Sequence, residues 1–214
     1  MNDVYRLLVP LLETSGAIGG SSALLRRFLL LCVASAPESL PQARALFSRI
    51  GSPDTFAYNT TIRAHAHFSP SHAIAFFLQM LRSAVPPDNF TFPFVLKACG
   101  RLQVASNGLH AMALKFGFGS DLYVQNALIS AYGSWGSVES AGKVFDEMLE
   151  RDIVSWSCMI SCYANNGFPY ESLTLFQQMQ LSETSTPDEI TMLSVISAIS
   201  SIGELDLGRG LTFR

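Results

Sequence analysis

Charge is scarce in this chain. Of 214 residues, 14% are Asp, Glu, Lys or Arg, and the net charge is −3. That balance excludes a general electrostatic attraction to nucleic acid, so any such binding must rest on locally placed positive charge. Cysteine is also sparse. Cys32, Cys99, Cys158 and Cys162 form no Cys-x-x-Cys pair and no disulfide framework. Cys158 and Cys162 are four apart and can share a helix face, but no His or second Cys pair stands at ligand spacing to complete a metal site. Buried, reduced thiols are the expectation. Long apolar runs are missing too. Although 49% of residues are hydrophobic, the longest run, 28–34, is far short of the roughly 18 residues that span a bilayer. No nucleophile-elbow Gly-x-Ser-x-Gly and no phosphate-binding Gly-rich loop occurs. The sequence therefore predicts no catalysis, no cofactor, no metal, no small-molecule substrate and no membrane partner.

What is present is periodic. Asp54, Asp88, Asp121, Asp152 and Asp188 recur at gaps of 34, 33, 31 and 36 residues. An apolar segment follows each one closely. Tyr58-Asn59-Thr60-Thr61-Ile62, Gln125-Asn126-Ala127-Leu128-Ile129 and Trp156-Ser157-Cys158-Met159-Ile160 are three copies of one helix start. Periods in this range mark repeat architectures, in which each unit packs only on its neighbours. The high apolar content fits helices buried on two sides within a stack.

Each unit reads as helix, turn, helix. In 153–188, residues 154–164 form a first helix, Asn165 to Pro169 a turn, and 170–179 a second helix with Leu173, Leu175, Phe176 and Met179 on its apolar side. In 122–152 the turn falls at Gly133 to Gly136, and Val138, Ala141, Val144, Phe145 and Met148 form the second stripe. Ala73, Phe76, Phe77 and Met80 take those places in 55–88. These Phe and Met residues, with Tyr58 and Trp156, are expected core. Pro87-Asp88-Asn89-Phe90-Thr91-Phe92 returns 100 residues later as Pro187-Asp188-Glu189-Ile190-Thr191-Met192. The segment 189–214 thus repeats the start of 89–121 and stops inside its second helix, leaving Ile196, Ile199 and Leu207 without a partner helix. His65 and His67, two apart on a helix, point in different directions and make a poor metal pair.

These residues resemble a pentatricopeptide repeat protein, of the plant subclass that alternates standard, long and short repeats. On that resemblance, 1–20 is an N-terminal segment, 21–54 a degenerate short repeat, 55–88 standard, 89–121 long, 122–152 short, 153–188 standard, and 189–214 an incomplete long repeat. The acid-free stretch 14–37, with Arg26 and Arg27, reads either as a targeting sequence or as part of the worn first repeat. A tetratricopeptide array would show a Trp-Leu-Gly-Tyr pattern, which is missing. The resemblance implies an all-α, right-handed α-solenoid that binds single-stranded RNA in a plant organelle, the mitochondrion ahead of the chloroplast. One base is read per repeat.

In the family, the fifth and last residues of a repeat choose the base, and the second packs against it. Carried over, the reading pairs are Asn59 with Asp88, Asn126 with Asp152, and Ser157 with Asp188. The packing residues are Phe56, Tyr123 and Val154. The two Asn–Asp pairs resemble the uridine-preferring combination, and Ser–Asp leans to guanosine. In the long repeat the fifth residue is Pro93, which has no donor or acceptor on its side chain. In the worn repeat it falls near Phe28. Asp121 and Asp54 are therefore expected to be helix caps alone. Arg63 and Lys97 stand one helical turn beyond Asn59 and Pro93, so they are candidate phosphate contacts. The equivalent Ser130 and Ser161 are neutral.

Relatives of this subclass often end in a deaminase domain, whose zinc chemistry needs His-x-Glu with Cys-x-x-Cys. Neither motif is present. The implied role is to mark an RNA site for processing, or for cytidine-to-uridine editing by a deaminase acting in trans. The competing expectations are a protein-binding helical scaffold, or a truncated fragment with too few reading pairs to specify one site.

Overall fold

The computed structural model describes residues 40–103, 107–182 and 186–211, without side-chain detail at 42, 107 and 204–211. Among these residues the chain is all α. Ten helices follow in order: α1 (Leu40–Phe47), α2 (Thr55–Phe68), α3 (Pro70–Arg82), α4 (Thr91–Leu102), α5 (Asn107–Lys115), α6 (Leu122–Ser134), α7 (Val138–Asp146), α8 (Ile153–Asn165), α9 (Pro169–Leu181) and α10 (Glu189–Leu211). None of these helices is long and apolar enough to cross a membrane. The chain forms two compact units, Met1–Ala98 and Cys99–Arg214. The segment 1–20, most of the worn first repeat with Phe28 and Cys32, and the side chain of Leu207 lie outside the described residues.

In the first unit, α2 and α3 form an antiparallel hairpin with α1 against α2. The turn is short because Ser69 closes α2 through its N–H to His65 O while Pro70 opens α3. Proline suits a first helical position, where its missing N–H has no partner to lose. The core is aromatic. Phe47 lies edge-on to Tyr58 and Phe76, with centroids 5.0 and 5.1 Å away. Phe77 meets Phe92 at 6.3 Å. Met80 is fully buried. His65 is buried and His67 exposed, as their spacing predicts.

In the second unit, α8 packs on α6, α9 and α10. Gly136 and Gly167 make the two hairpin turns in left-handed backbone, φ +72° and +82°. That region costs a residue with a Cβ about 1–2 kcal/mol. The turn in 122–152 is shorter than its sequence suggests, because α6 runs through Gly133. Gly133 serves packing instead: a Cβ there would stand 3.1 Å from Cys162 Sγ on α8. Asn166 bridges the same helices, donating to Gly133 O and Cys162 O.

Tyr58, Phe77, Phe145, Met148, Trp156 and Met179 are core, as expected, but Phe176 is only half-buried. Ser172, at the place of the fully buried Ala73 and Ala141, is also fully buried and donates to Ile160 O. Cys99 and Cys162 are buried, Cys158 is half-buried, and none of the three is in a disulfide. The last segment departs from its expected plan. α10 continues through Gly203 with no turn where 89–121 breaks after Leu102. A glycine permits the left-handed turn but does not compel it, and 201–207 holds no proline to stop the helix. Ile196 and Ile199 are exposed.

Candidate functional site

Each boundary aspartate caps the helix that follows. Asp54 accepts from Ala57 N, Asp121 from Val124 N, and Asp152 from Ser155 N. Asp88 accepts from Phe90 N and Thr91 N, and Asp188 from Thr191 N. A side chain here satisfies orphan N–H groups of the first turn. The expected capping role of Asp54 and Asp121 is borne out.

At three boundaries the same carboxylate also reaches back to the preceding repeat. Asn59 Nδ2 donates to Asp88 Oδ1 at 2.8 Å. Asn126 Nδ2 donates to Asp152 Oδ1 at 3.2 Å. Ser157 Oγ donates to Asp188 Oδ1 at 3.0 Å. The residues paired from the sequence are therefore in direct contact. Because a carboxylate only accepts, it fixes which end of each amide faces it. Asn59 and Asn126 are 8% and 6% exposed, so little of either amide is open to a ligand.

The charge state of these carboxylates follows from the same bonds. Burial pushes Asp152 up, but the Ser155 N–H and hydroxyl, the Asn126 amide and the Val154 N–H together hold it below its ordinary value. Burial likewise raises Asp188, and bonds from the Thr191 hydroxyl and N–H, from Ser157 and from its own backbone N–H bring it below. Both stay ionised at neutral pH and remain acceptors.

Exposed apolar side chains stand beside the pairs. Phe56 is 45%, Tyr123 63% and Val154 49% exposed, all on the first turn of their helices. Phe90 and Ile190, at the same repeat position, are also exposed. The sequence reading did not single these two out, although the alignment of repeat starts could have found them. In the second unit, Val154, Ser157, Cys158, Asp188 and Ile190 line one cleft of about 400 Å³. Its wall is completed by small neutral residues, among them Ser130, Ser161 and Gly133. Ser130 donates to Cys158 Sγ, and Ser161 shares a hydrogen bond with Ser194. A flat heteroaromatic ring could lie there between two apolar side chains, with its edge on a hydroxyl–carboxylate pair.

In the first unit, Arg63 and Lys97 are exposed, on α2 and α4. The Arg63 guanidinium lies 5.9 Å from the Phe94 ring centroid. Pro93 sits half-buried in the first turn of α4. Among the described residues, no group of three or more His, Cys, Asp or Glu is placed to hold a metal ion.

Known proteins share this pattern. The PPR repeat family model matches residues 126–153 and 154–183. A pentatricopeptide repeat-containing protein of Arabidopsis thaliana is 41% identical over 181 residues, covering 83% of this chain and 22% of its own length. A second from the same plant, named as chloroplastic/mitochondrial, is 44% identical over 184 residues, 84% of this chain and 28% of its own. The chain thus spans less than a third of either relative. Among solved structures, the pentatricopeptide repeat protein PPR10 in complex with an 18-nt psaJ RNA element matches with a TM-score of 0.70 at 18% identity, over 94% of this chain and 31% of that one. The PPR domain of Arabidopsis thaliana protein-only RNase P 1, in complex with tRNA, matches with a TM-score of 0.61 at 15% identity, over 83% and 98%. At these identities the two structures speak for the fold alone: an all-α array of helix-turn-helix repeats, as the sequence predicts. The matched repeats and the plant relatives make this chain a pentatricopeptide repeat protein.

Proposed function

We propose that the chain binds single-stranded RNA and reads bases through Asn59–Asp88, Asn126–Asp152 and Ser157–Asp188. The observation that carries this reading is the repeated arrangement at three boundaries. A buried polar side chain is held by a carboxylate, beside an exposed apolar residue on the first turn of the same helix. An amide so held keeps one N–H and at least one oxygen lone pair outside the protein's own hydrogen bonds, and turned to a ligand these would complement the O4 and N3–H of uracil. Cytosine offers the reverse polarity at those atoms. Base stacking on Phe56 or Tyr123, and apolar packing on Val154, add affinity without adding choice. That PPR10 and the RNase P domain are solved with RNA supports the same reading.

The biological role that fits is specification of an RNA site in a plant organelle, for processing or cytidine-to-uridine editing carried out by a separate protein. The succession of 34-, 33-, 31- and 36-residue gaps supports membership of the subclass with alternating repeat types. The test is direct binding of short single-stranded RNAs, with and without uridines, to the wild type and to Asn59→Ala and Asn126→Ala. Selectivity that moves with these residues supports the reader. Indifference to RNA sequence would leave a protein-binding scaffold as the better account.

A further inference from the structure

The residue three places after each reading aspartate is a buried hydroxyl: Thr91, Ser155 and Thr191 are all fully buried. After the other two aspartates the same place holds Ala57 and Val124. Those two aspartates follow repeats whose fifth residue is Pro93, or falls near Phe28. Hydroxyls therefore stand only where a polar reading residue precedes them. Capping does not require them, since Asp54 and Asp121 cap Ala57 N and Val124 N without one.

The hydroxyls do not all do the same thing. Thr91 Oγ1 lies 2.7 Å from Asn59 Oδ1 and 3.0 Å from Asp88 Oδ1, while accepting from Asp88 N. Thr91 thus bridges the amide oxygen and the carboxylate, so Asn59 is contacted at both ends of its amide. Thr191 shares a hydrogen bond with Ser157 and also reaches Asp188. Ser155 turns wholly to the cap: it accepts from Asp152 N and donates to Asp152 Oδ1. Asn126 Oδ1 is consequently buried without a hydrogen-bond partner. Thr91 and Ser155 make the same two contacts to their aspartate, so what differs is the amide oxygen, within reach of Thr91 alone; threonine is stiff at χ1 and keeps its hydroxyl in that place, where serine is freer to turn. Two pairs of identical composition, Asn59–Asp88 and Asn126–Asp152, are thus held to different degrees.

We propose that Thr91, Ser155 and Thr191 are positioning residues that set how firmly each reading side chain is aimed, and so how sharply its base is discriminated. This rests on the RNA-reading function proposed above. A doubly held Asn59 presents one fixed donor and one fixed acceptor, so a base with reversed polarity meets two mismatches. A singly held Asn126 can swing its oxygen toward a ligand N–H and tolerates more.

The experiment selects RNA from a randomised single-stranded pool and reads the uridine-over-cytidine preference at each enriched position. Thr91→Ser keeps a hydroxyl for the cap, and circular dichroism melting checks that the variant folds. We expect it to lower the preference at the Asn59 position by about two- to tenfold, the ratio controlled by one neutral hydrogen bond, and to leave the Asn126 position unchanged. Ser155→Thr should sharpen the Asn126 position alone. If Asn59→Ala erases its preference while Thr91→Ser and Ser155→Thr leave both positions at wild-type values, the positioning role is wrong and RNA reading stands. If Asn59→Ala and Asn126→Ala also change nothing, RNA reading itself fails, and the positioning role fails with it.

Discussion

Asn59 and Asp88 are hydrogen-bonded at 2.8 Å across 29 residues of sequence, and the same Asp88 carboxylate accepts the first N–H groups of α4. One side chain therefore serves both a helix end and the side chain of an earlier helix. Asp88→Ala should lose the cap, at about 0.5–2 kcal/mol, and in addition leave the mostly buried Asn59 amide short of an acceptor, at about 1–3 kcal/mol. Asp54→Ala, measured by the same urea unfolding, is the comparison. A smaller loss at Asp88 than at Asp54 would contradict the double role.

Acid should weaken the second unit through Asp152 and Asp188. Both carboxyls sit below their ordinary value when folded. Their contribution is fully present above the unfolded carboxylate value of about 3.9, and it is lost as pH falls through the lower folded values. Stability measured from pH 7 to pH 2 should decline on the acid side, and the Asp152→Asn, Asp188→Asn double variant should decline less steeply. Equal slopes would show that these bonds do not favour the ionised form.

Two glycines of the second unit should respond differently to alanine. At Gly167 nothing lies within 4 Å of an added Cβ, so the cost is the left-handed backbone alone, about 1–2 kcal/mol. At Gly133 the helical backbone welcomes alanine, worth about 1 kcal/mol, but the Cβ meets Cys162 Sγ and Cβ at 3.1 and 3.2 Å. Overpacking of about 1–3 kcal/mol should outweigh that gain. Adding Cys162→Ala should rescue Gly133→Ala by about 0.5 kcal/mol or more relative to additivity, and Gly167→Ala not at all. Additive behaviour at both sites would show that α6 and α8 have room to spare.

Thiol chemistry should be slow at neutral pH. Burial pushes Cys158 up, and burial with the neighbouring Cys158 sulfur takes Cys162 to about 11. Since the thiolate is the reactive form, alkylation of either in the folded protein, followed by mass spectrometry, should lag well behind the same residues in urea. Labelling of folded Cys162 at the rate of a free thiol would be inconsistent with its packing against Gly133.

If Arg63 and Lys97 meet phosphates, Arg63→Ala and Lys97→Ala should each weaken RNA binding about equally for all sequences. Each should also reduce the slope of log affinity against log salt by about one contact, roughly 0.7 for a single strand. Unchanged slopes in both variants would remove these side chains from the RNA path.

Much of this was legible in the sequence because repeats print the same constraint several times. Aspartates at near-constant spacing gave the helix starts, and glycine with proline gave the turns. The pairing of these residues came from the resemblance, not from periodicity; hydrogen bonds across 29, 26 and 31 residues join the partners, and base reading is the role we propose for them. What could not be read was one-sided. Gly133 looks like a turn residue until Cys162 is placed beside it. Phe176 aligns with the buried Phe145, yet it is only half-buried, and Ser172 stands where Ala73 and Ala141 do but satisfies its hydroxyl on Ile160 O. Whether the amide oxygen of the earlier helix reaches the hydroxyl, as Asn59 does to Thr91 and Asn126 does not to Ser155, is a matter of tenths of an ångström that no spacing pattern records.

The Asp88 and Asp188 networks also change where a repeat can be cut. Fold and hydrogen-bonding units are out of phase: the helix pair of one repeat ends at its aspartate, but the side chains that hold its fifth residue extend three places into the next. A graft made at 88/89 would carry Asn59 and Asp88 and leave Thr91 behind. Exchanging 56–91 as one block would transplant a complete site, so recombination of such repeats should preserve binding preference best when its joints fall just inside the following helix.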